Sequence, residues 1–557
     1  MERTWEPPDK GPWELESTHF SRPVTRFAQS AYSTGFVRGF SEGTARYGLL
    51  LDHLEPGLVN GFMYMQPVAF GAPKGAMGPP PKPILWLITR AHPGMRKRIA
   101  TSARAFADRQ WRADLKMWDE IDRPAAVAKH REIQDISVES LTDAELADHL
   151  LACHDHLTEM HYLHHKYTIT MIAATGDFIA SAAEWTGVSA GELIGLLRGS
   201  SDISKGFAAS ELDRAAKSIV ASEGARAVLG STASPADLLT SLRADAGAGA
   251  DVAAYVEAVQ FRSVGYDVGD RNAGEMPQIL IEALRGAVAG SSAPTGAGDQ
   301  LAQIRARVPA AHEADFDDRL AEARLVNRLR DERGVYSDGW ATGLARRALL
   351  EAGRRLVSTG LLSDAEHVVD LEADECAALL RGQPGPAVED VAERYGWRTT
   401  HTTDDAPPFL RAMPAPPPAV DVLPPAARRA ARAADAVLHN LFGVPDTPNT
   451  DDVLHGLAVN TGSYEGTARL VDDSADFERI QQGDVLVTRM TSPYFNVVLP
   501  LLGAIVTDRG GQLCHAAIVA REYGIPGIVG TREATKKIRD GARVRVDGSS
   551  GEVRLLG

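Results

Sequence analysis

The sequence predicts a multidomain protein, with a large, mainly α-helical body followed by a small C-terminal α/β domain. Three observations predict it. The chain has 557 residues, more than one ordinary core accommodates, which suggests about three or four domains. Through most of its length apolar residues recur at three- and four-residue intervals, the helical period, as in Thr142–His154 and Leu212–Val220. Past residue 450 this gives way to short Val/Ile/Leu-rich runs bounded by Gly or Asp.

In chain order, helical periodicity dominates from Val24 to about Ala289, interrupted by loops at Gly71–Pro83, Ala244–Gly249 and Gly290–Gly298, where Gly, Pro and Ser cluster. A second helical block runs from Asp299 to Gly382. Ala406–Pro425 is so rich in proline that it must be extended and semi-rigid. An Ala/Arg-rich helix, Ala426–Leu441, and a Pro/Thr turn, Val444–Thr450, follow it. The α/β domain then has strands at Asp484–Thr488, Ala504–Thr507, Pro526–Val529, Arg543–Asp547 and Glu552–Leu556, with helices at Tyr494–Leu501 and His515–Tyr523. The expected division is a body over 1–405 with a break near 290–300, a linker and helix over 406–450, and an α/β head over 451–557. A head on such a tether is free to move.

Composition narrows the function classes. Apolar residues make up 44% and charged residues 24%, the mix of a soluble globular protein. A formal net charge of -15 argues against a nucleic-acid partner. Met1–Lys10 has no signal-peptide pattern, and the apolar run Val497–Val506 is too short to span a bilayer. The three cysteines, Cys153, Cys376 and Cys514, are widely separated and form no CxxC pair, so neither a disulfide framework nor a zinc site is expected. The expected location is the cytoplasm, without membrane association.

The chemistry-bearing run is Thr507-Asp-Arg-Gly510-Gly511-Gln-Leu-Cys514-His515-Ala-Ala-Ile-Val-Ala-Arg521-Glu522-Tyr-Gly524-Ile-Pro526. A buried strand ends at Thr507, two glycines permit a sharp turn, and a helix starts close to His515. The first N–H groups of that helix lack intrahelical partners and its dipole is positive there, so a phosphoryl group on the imidazole would meet donors. The same positivity is expected to lower the imidazole pKa and keep the ring neutral and nucleophilic. His515 alone could merely sit at a helix start. Cys514 beside it is read as a small helix-start residue rather than a thiol nucleophile, because no base is recognisable for it.

The whole run, GG-x-x-C-H-A-A-I-V-A-R-E-x-G-I-P-x-x-V-G, closely resembles the mobile phosphohistidine domain of the PEP-utilising enzymes. The likeness extends to Gly483–Thr488 and Val544–Val553. It implies a swivelling domain with His515 as a covalent phosphohistidine, and Gly510, Gly511, Cys514 and Arg521 supporting its loop. Leu513 departs from PEP synthases, which usually have threonine there. Leu325–Leu371, read as an Arg-rich helix, a long helix and an acidic strand-like segment, resembles the region before the swivel in rifampin phosphotransferase and PEP synthase-like proteins. Phe261–Pro277 carries a weaker likeness. These resemblances imply that the body holds the phosphoryl acceptor.

Arg328, Arg330 and Arg333 are candidates for gripping a phosphoryl group, since guanidinium forks suit phosphate oxygens; the alternative is a solvated helix face. His154, His156, His161, His164 and His165 form a second cluster. His154, His161 and His165 line one side of a helix. A metal site lacks a carboxylate or cysteine to complete it, so none is assigned. His161 and His165 remain candidates for a general base or members of a structural histidine face.

No ATP-grasp pattern or Walker loop is recognised, and no pyruvate barrel follows the swivel. By resemblance to phenylphosphate synthase, whose family splits the ATP-binding and phosphohistidine parts between subunits, ATP and Mg²⁺ are expected mainly on a separate ATP-grasp partner. The expected function is a dikinase-type phosphotransferase subunit that takes a phosphoryl group from ATP onto His515 and passes it to a phenol or other bulky alcohol. Two alternatives stand beside it: a PEP synthase-like component acting on pyruvate, and a non-catalytic phosphocarrier or binding module.

Overall fold

The computed structural model describes residues 3–556 except 74, 201–207, 291–296, 443–447, 451, 472–473, 492–494 and 496–497. The expected fold class is observed, a large helical body and a small C-terminal sheet domain. Contacts divide the chain into two units. Met1–Asp177, Tyr266–Gly269 and Glu332–Asp435 form unit 1, and Phe178–Gly265, Asp270–Asp331 and Ala436–Gly557 form unit 2. This division does not follow the expected one. The proline-rich stretch belongs to unit 1, because its extended backbone is what a sheet edge accepts: Phe409 and Leu410 pair antiparallel with Glu14 and Trp13. Leu410 and Leu423 are buried there, so this stretch is docked rather than a free tether.

In unit 1, helix Arg26–Arg46 packs on helix Asp143–Lys166. Glycines make that approach possible. A Cβ on Gly35 would lie 2.5 Å from the Thr158 carbonyl oxygen, and one on Gly39 2.3 Å from that of Tyr162. Helix Asp143–Lys166 starts at a capping box, in which the Thr142 side chain accepts from the Glu145 N–H and Glu145 accepts from the Thr142 N–H. Helix Asp338–Ser358 packs on it as well.

Unit 1 also contains a four-stranded antiparallel sheet that includes the hairpin Leu51–Val59/Phe62–Ala69, in a region read from sequence as helical. The hairpin turns at Asn60 and Gly61, with φ of 53° and 84°. An Asn-Gly pair fits a two-residue turn in which both residues are left-handed. The acidic segment read as strand-like instead forms a short 3₁₀ helix, Ala365–Asp370.

In unit 2, helices Ala209–Ala221, Pro235–Ala244, Gly249–Val259 and Pro277–Ala289 share one core, with Leu242, Val252, Leu280 and Leu284 fully buried. The eight-stranded sheet has a parallel centre, in which Ser463–Val471, Asp484–Thr488, Leu502–Thr507 and Gly527–Val529 lie side by side. Its central strands are buried on both faces, which is why they read as continuous apolar runs. On one face Leu486 and Ile505 pack against the helix His515–Tyr523; on the other Val485 and Val506 pack against Ala534 and Ile538. Of the expected helix Tyr494–Leu501, residues 494, 496 and 497 lie outside the described residues, and Leu499–Leu501 is one 3₁₀ turn.

Candidate active site

His515 is the first residue of helix His515–Tyr523, and Cys514 is its N-cap. The helix is the crossover from strand Leu502–Thr507 to the parallel strand Gly527–Val529, so His515 stands beyond the carboxyl end of a parallel strand, where open α/β sheets place their ligands. The loop that delivers it is tightly specified. Gly510 has φ +99°, and a Cβ there would lie 2.6 Å from Cys514 Sγ. The buried Arg521 guanidinium donates to the Gln512 carbonyl at 2.6 Å and to the Gln512 side-chain oxygen, while Gln512 Nε2 donates to the Ala458 carbonyl at 2.7 Å. Arg521 therefore ties the Gly-Gly loop, through Gln512, to the helix nearly two turns beyond the histidine. Burial pushes its pKa down to about 10, which leaves it charged at neutral pH.

The imidazole is half-buried, and its Nδ1 lies 2.9 Å from the Thr491 hydroxyl. Its pKa is pushed down to about 3, mainly by burial; Asp331 acts upward and Arg330 downward. The ring is therefore neutral at physiological pH, as expected, but the leading cause is burial rather than the helix end. Cys514 is half-buried, and burial pushes its thiol up to about 11, so it is a poor thiolate and packs as a small apolar residue.

The three arginine candidates separate. Arg330 is close enough to act on His515 and is itself paired with Asp331 at 2.8 Å. Arg328 caps helix Glu313–Asn327. Arg333 belongs to unit 1, where it donates to the Thr168 hydroxyl at 2.6 Å.

His161 and His165 also lie in unit 1, on helix Asp143–Lys166, the first buried and the second half-buried. His154 bonds the Ser30 hydroxyl at 2.9 Å, and the buried His156 bonds His130 at 2.9 Å, so these two serve packing. Among the described residues, no group of three or more His, Cys, Asp or Glu side chains is arranged to hold a metal ion. Sequence reasoning missed Thr491 and Gln512. Gln512 lies inside the quoted run, but nothing local marks Thr491, which reaches His515 only through the fold. No helix among the described residues is long and apolar enough to cross a membrane.

Residues 480–551 match the family model described as PEP-utilising enzyme, mobile domain. Among curated proteins, the chain is 32% identical over 228 residues to an uncharacterized phosphotransferase, YvkC, of Bacillus subtilis, covering 41% of this chain and 26% of that protein. It is 30% identical over 318 residues to a rifampicin phosphotransferase of a Streptomyces species, covering 54% and 34%. With the phosphoenolpyruvate synthase of Pyrococcus furiosus it shares 46% identity over 101 residues, covering 18% and 12%. The chain thus spans about a third or less of the length of these relatives. With its Gly-Gly turn, its histidine at the helix start and this match, the segment 480–551 is a mobile domain of the PEP-utilising enzyme family.

Proposed function

We propose that this chain is the phosphohistidine-carrying and acceptor-binding part of an ATP-dependent phosphotransferase. His515 carries the phosphoryl group. The observation that carries this reading is the place of His515, first residue of the helix that follows the Gly-Gly loop, inside a segment that matches the PEP-utilising mobile domain, with the Arg330–Asp331 ion pair acting on its ring. The Thr491 hydroxyl at Nδ1 favours Nε2 as the nitrogen that takes the phosphoryl group. Attack by that nitrogen forms the P–N bond, and a second attack by an acceptor hydroxyl breaks it, which divides one difficult transfer into two.

By resemblance to phenylphosphate synthase, a separate ATP-grasp protein holds ATP and Mg²⁺, which supply the phosphoryl group and neutralise its charge. The resemblance further assigns the β-phosphoryl group of ATP to His515 and a phenol or other bulky alcohol as acceptor, held in the helical body. Cytoplasmic location fits this chemistry. Similarity to a phosphoenolpyruvate synthase over the mobile domain favours a second reading, in which pyruvate is the acceptor.

The test mixes the chain with its ATP-grasp partner, ATP labelled at the β-phosphate, and either pyruvate or a panel of phenols. The proposal expects acid-labile label on the chain and a labelled aryl phosphate. Labelled PEP formed only with pyruvate would replace the acceptor assignment, and a chain that never takes label would overturn the carrier assignment.

A further inference from the structure

Unit 1 gathers a second set of reactive groups that the carrier chemistry of His515 does not use. His164 Nδ1 lies 2.8 Å from Asp338 Oδ1, and both side chains are mostly buried, at 15% and 11% exposure. The Ser337 hydroxyl lies 3.2 Å from the same carboxylate oxygen and closer still to the Arg333 carbonyl, which competes for its one hydrogen. A carboxylate at Nδ1 selects the tautomer with its hydrogen there and leaves the lone pair on Nε2, the arrangement of a histidine base oriented by an acid. The sequence reading singled out His161 and His165 on the same helix, but neither has a carboxylate bonded to it; the structure gives that partner to His164.

The surroundings point to a ligand. His161 Nε2 and His165 Nδ1 are buried with no hydrogen-bond partner. Desolvated polar atoms are rarely left so unless something else satisfies them. Aromatic rings sheathe them: Tyr32 packs at 4.2 Å from the His161 ring, Phe36 at 4.4 Å from the His165 ring, and Phe20 stacks on Tyr32. The charged and titratable groups acting on His164 and its neighbours are Asp338, Arg333 and His19, besides His161 and His165 themselves. Burial holds His164 well below the usual histidine range, with Arg333 and His19 acting in the same direction, so its ring is neutral at physiological pH.

We propose that His164, oriented by Asp338, is the general base that deprotonates the hydroxyl of an aromatic acceptor bound in unit 1, with Arg333 as the cation for the transferred phosphoryl group. In this step the acceptor oxygen attacks phosphorus, its proton passes to His164 Nε2, and the P–N bond of phosphohistidine breaks with its electron pair returning to the imidazole of His515. His164 is a catalytic residue here and Asp338 a positioning residue. The proposal rests on the reading of His515 as the carrier and adds the acceptor side of the same reaction.

Two measurements test it, with phenol as the probe. In the first, ¹⁵N-histidine NMR of the full chain should find the His164 hydrogen on Nδ1, should find it redistributed in Asp338→Asn, and should see the His161, His164 and His165 resonances move when phenol is added. In the second, the chain is labelled at His515 by its ATP-grasp partner and then mixed with phenol in a single turnover. His164→Gln should take label as the wild type does but transfer it about 10²- to 10⁴-fold more slowly. Asp338→Asn should slow transfer and shift its pH profile, and His154→Gln should change neither step.

Transfer by His164→Gln at the wild-type rate would overturn the proposal. So would a His164 hydrogen on Nε2, or a labelled wild-type chain that passes nothing to phenol and shows no histidine shift. A wild-type chain that takes no label would instead overturn the carrier reading, and with it the step that this base serves.

Discussion

Gly510→Ala probes how tightly the active loop is specified, and its effect divides into two parts. At φ +99° the backbone is in a region that only glycine occupies readily, and placing alanine there costs about 1–3 kcal/mol. The added Cβ would also meet Cys514 Sγ at 2.6 Å and Cys514 Cβ at 2.8 Å, and overpacking of that kind costs a further 1–3 kcal/mol or so. Either the C-terminal sheet domain loses roughly 2–6 kcal/mol, or the loop shifts and carries His515 with it. A misplacement of about 1 Å at a reacting group costs on the order of 100-fold in rate.

Because a chain of two units has no single unfolding free energy, the assay is hydrogen exchange of the amides over 507–523, read beside label uptake at His515. Adding Cys514→Gly to the variant removes the contact but not the backbone strain, so it should recover only part of the loss. Wild-type exchange and uptake in Gly510→Ala, or full recovery in the double variant, would refute the reasoning.

Thr491→Val removes the hydroxyl that meets His515 Nδ1 at 2.9 Å, an interaction worth about 0.5–1.5 kcal/mol, and should slow label uptake roughly 2- to 13-fold with the fold intact by circular dichroism. His156 in unit 1 should make that unit acid-sensitive. Burial lowers its pKa to about 4, so between the ordinary histidine value of about 6.5 and that point the unfolded chain binds a proton that the folded ring refuses. Stability is then full above the higher value and falls with pH through this window by on the order of 3 kcal/mol, visible as earlier urea unfolding of unit 1 at pH 4 than at pH 7 and reduced in His156→Gln.

The small domain was legible because its physics is local. Strands Asp484–Thr488, Arg543–Asp547 and Glu552–Leu556 and helix His515–Tyr523 lie where the apolar runs and the Gly-Gly break placed them. Arg521 was expected from the motif to support the loop, and the fold gives it a bond to Gln512 nine residues back in the chain. The hairpin at Asn60–Gly61 was missed although its turn pair is a direct signal, because the helical period on either side dominated the reading.

Other features depend on distant pairs that no local pattern encodes. Thr491 reaches His515 across 24 residues, and His164 reaches Asp338 across 174. Docking of the proline-rich stretch needs the strand Trp13–Leu15, almost four hundred residues earlier, so its composition predicted an extended chain but not the sheet edge it joins.

The central claim is that His515 carries the phosphoryl group, and the most direct measurement is incorporation of label from ATP labelled at the β-phosphate, in the presence of the ATP-grasp partner. The account predicts acid-labile, base-stable label on the wild-type chain, mapped to the peptide containing His515, and none on His515→Ala. Equal labelling of the wild type and His515→Ala would contradict it.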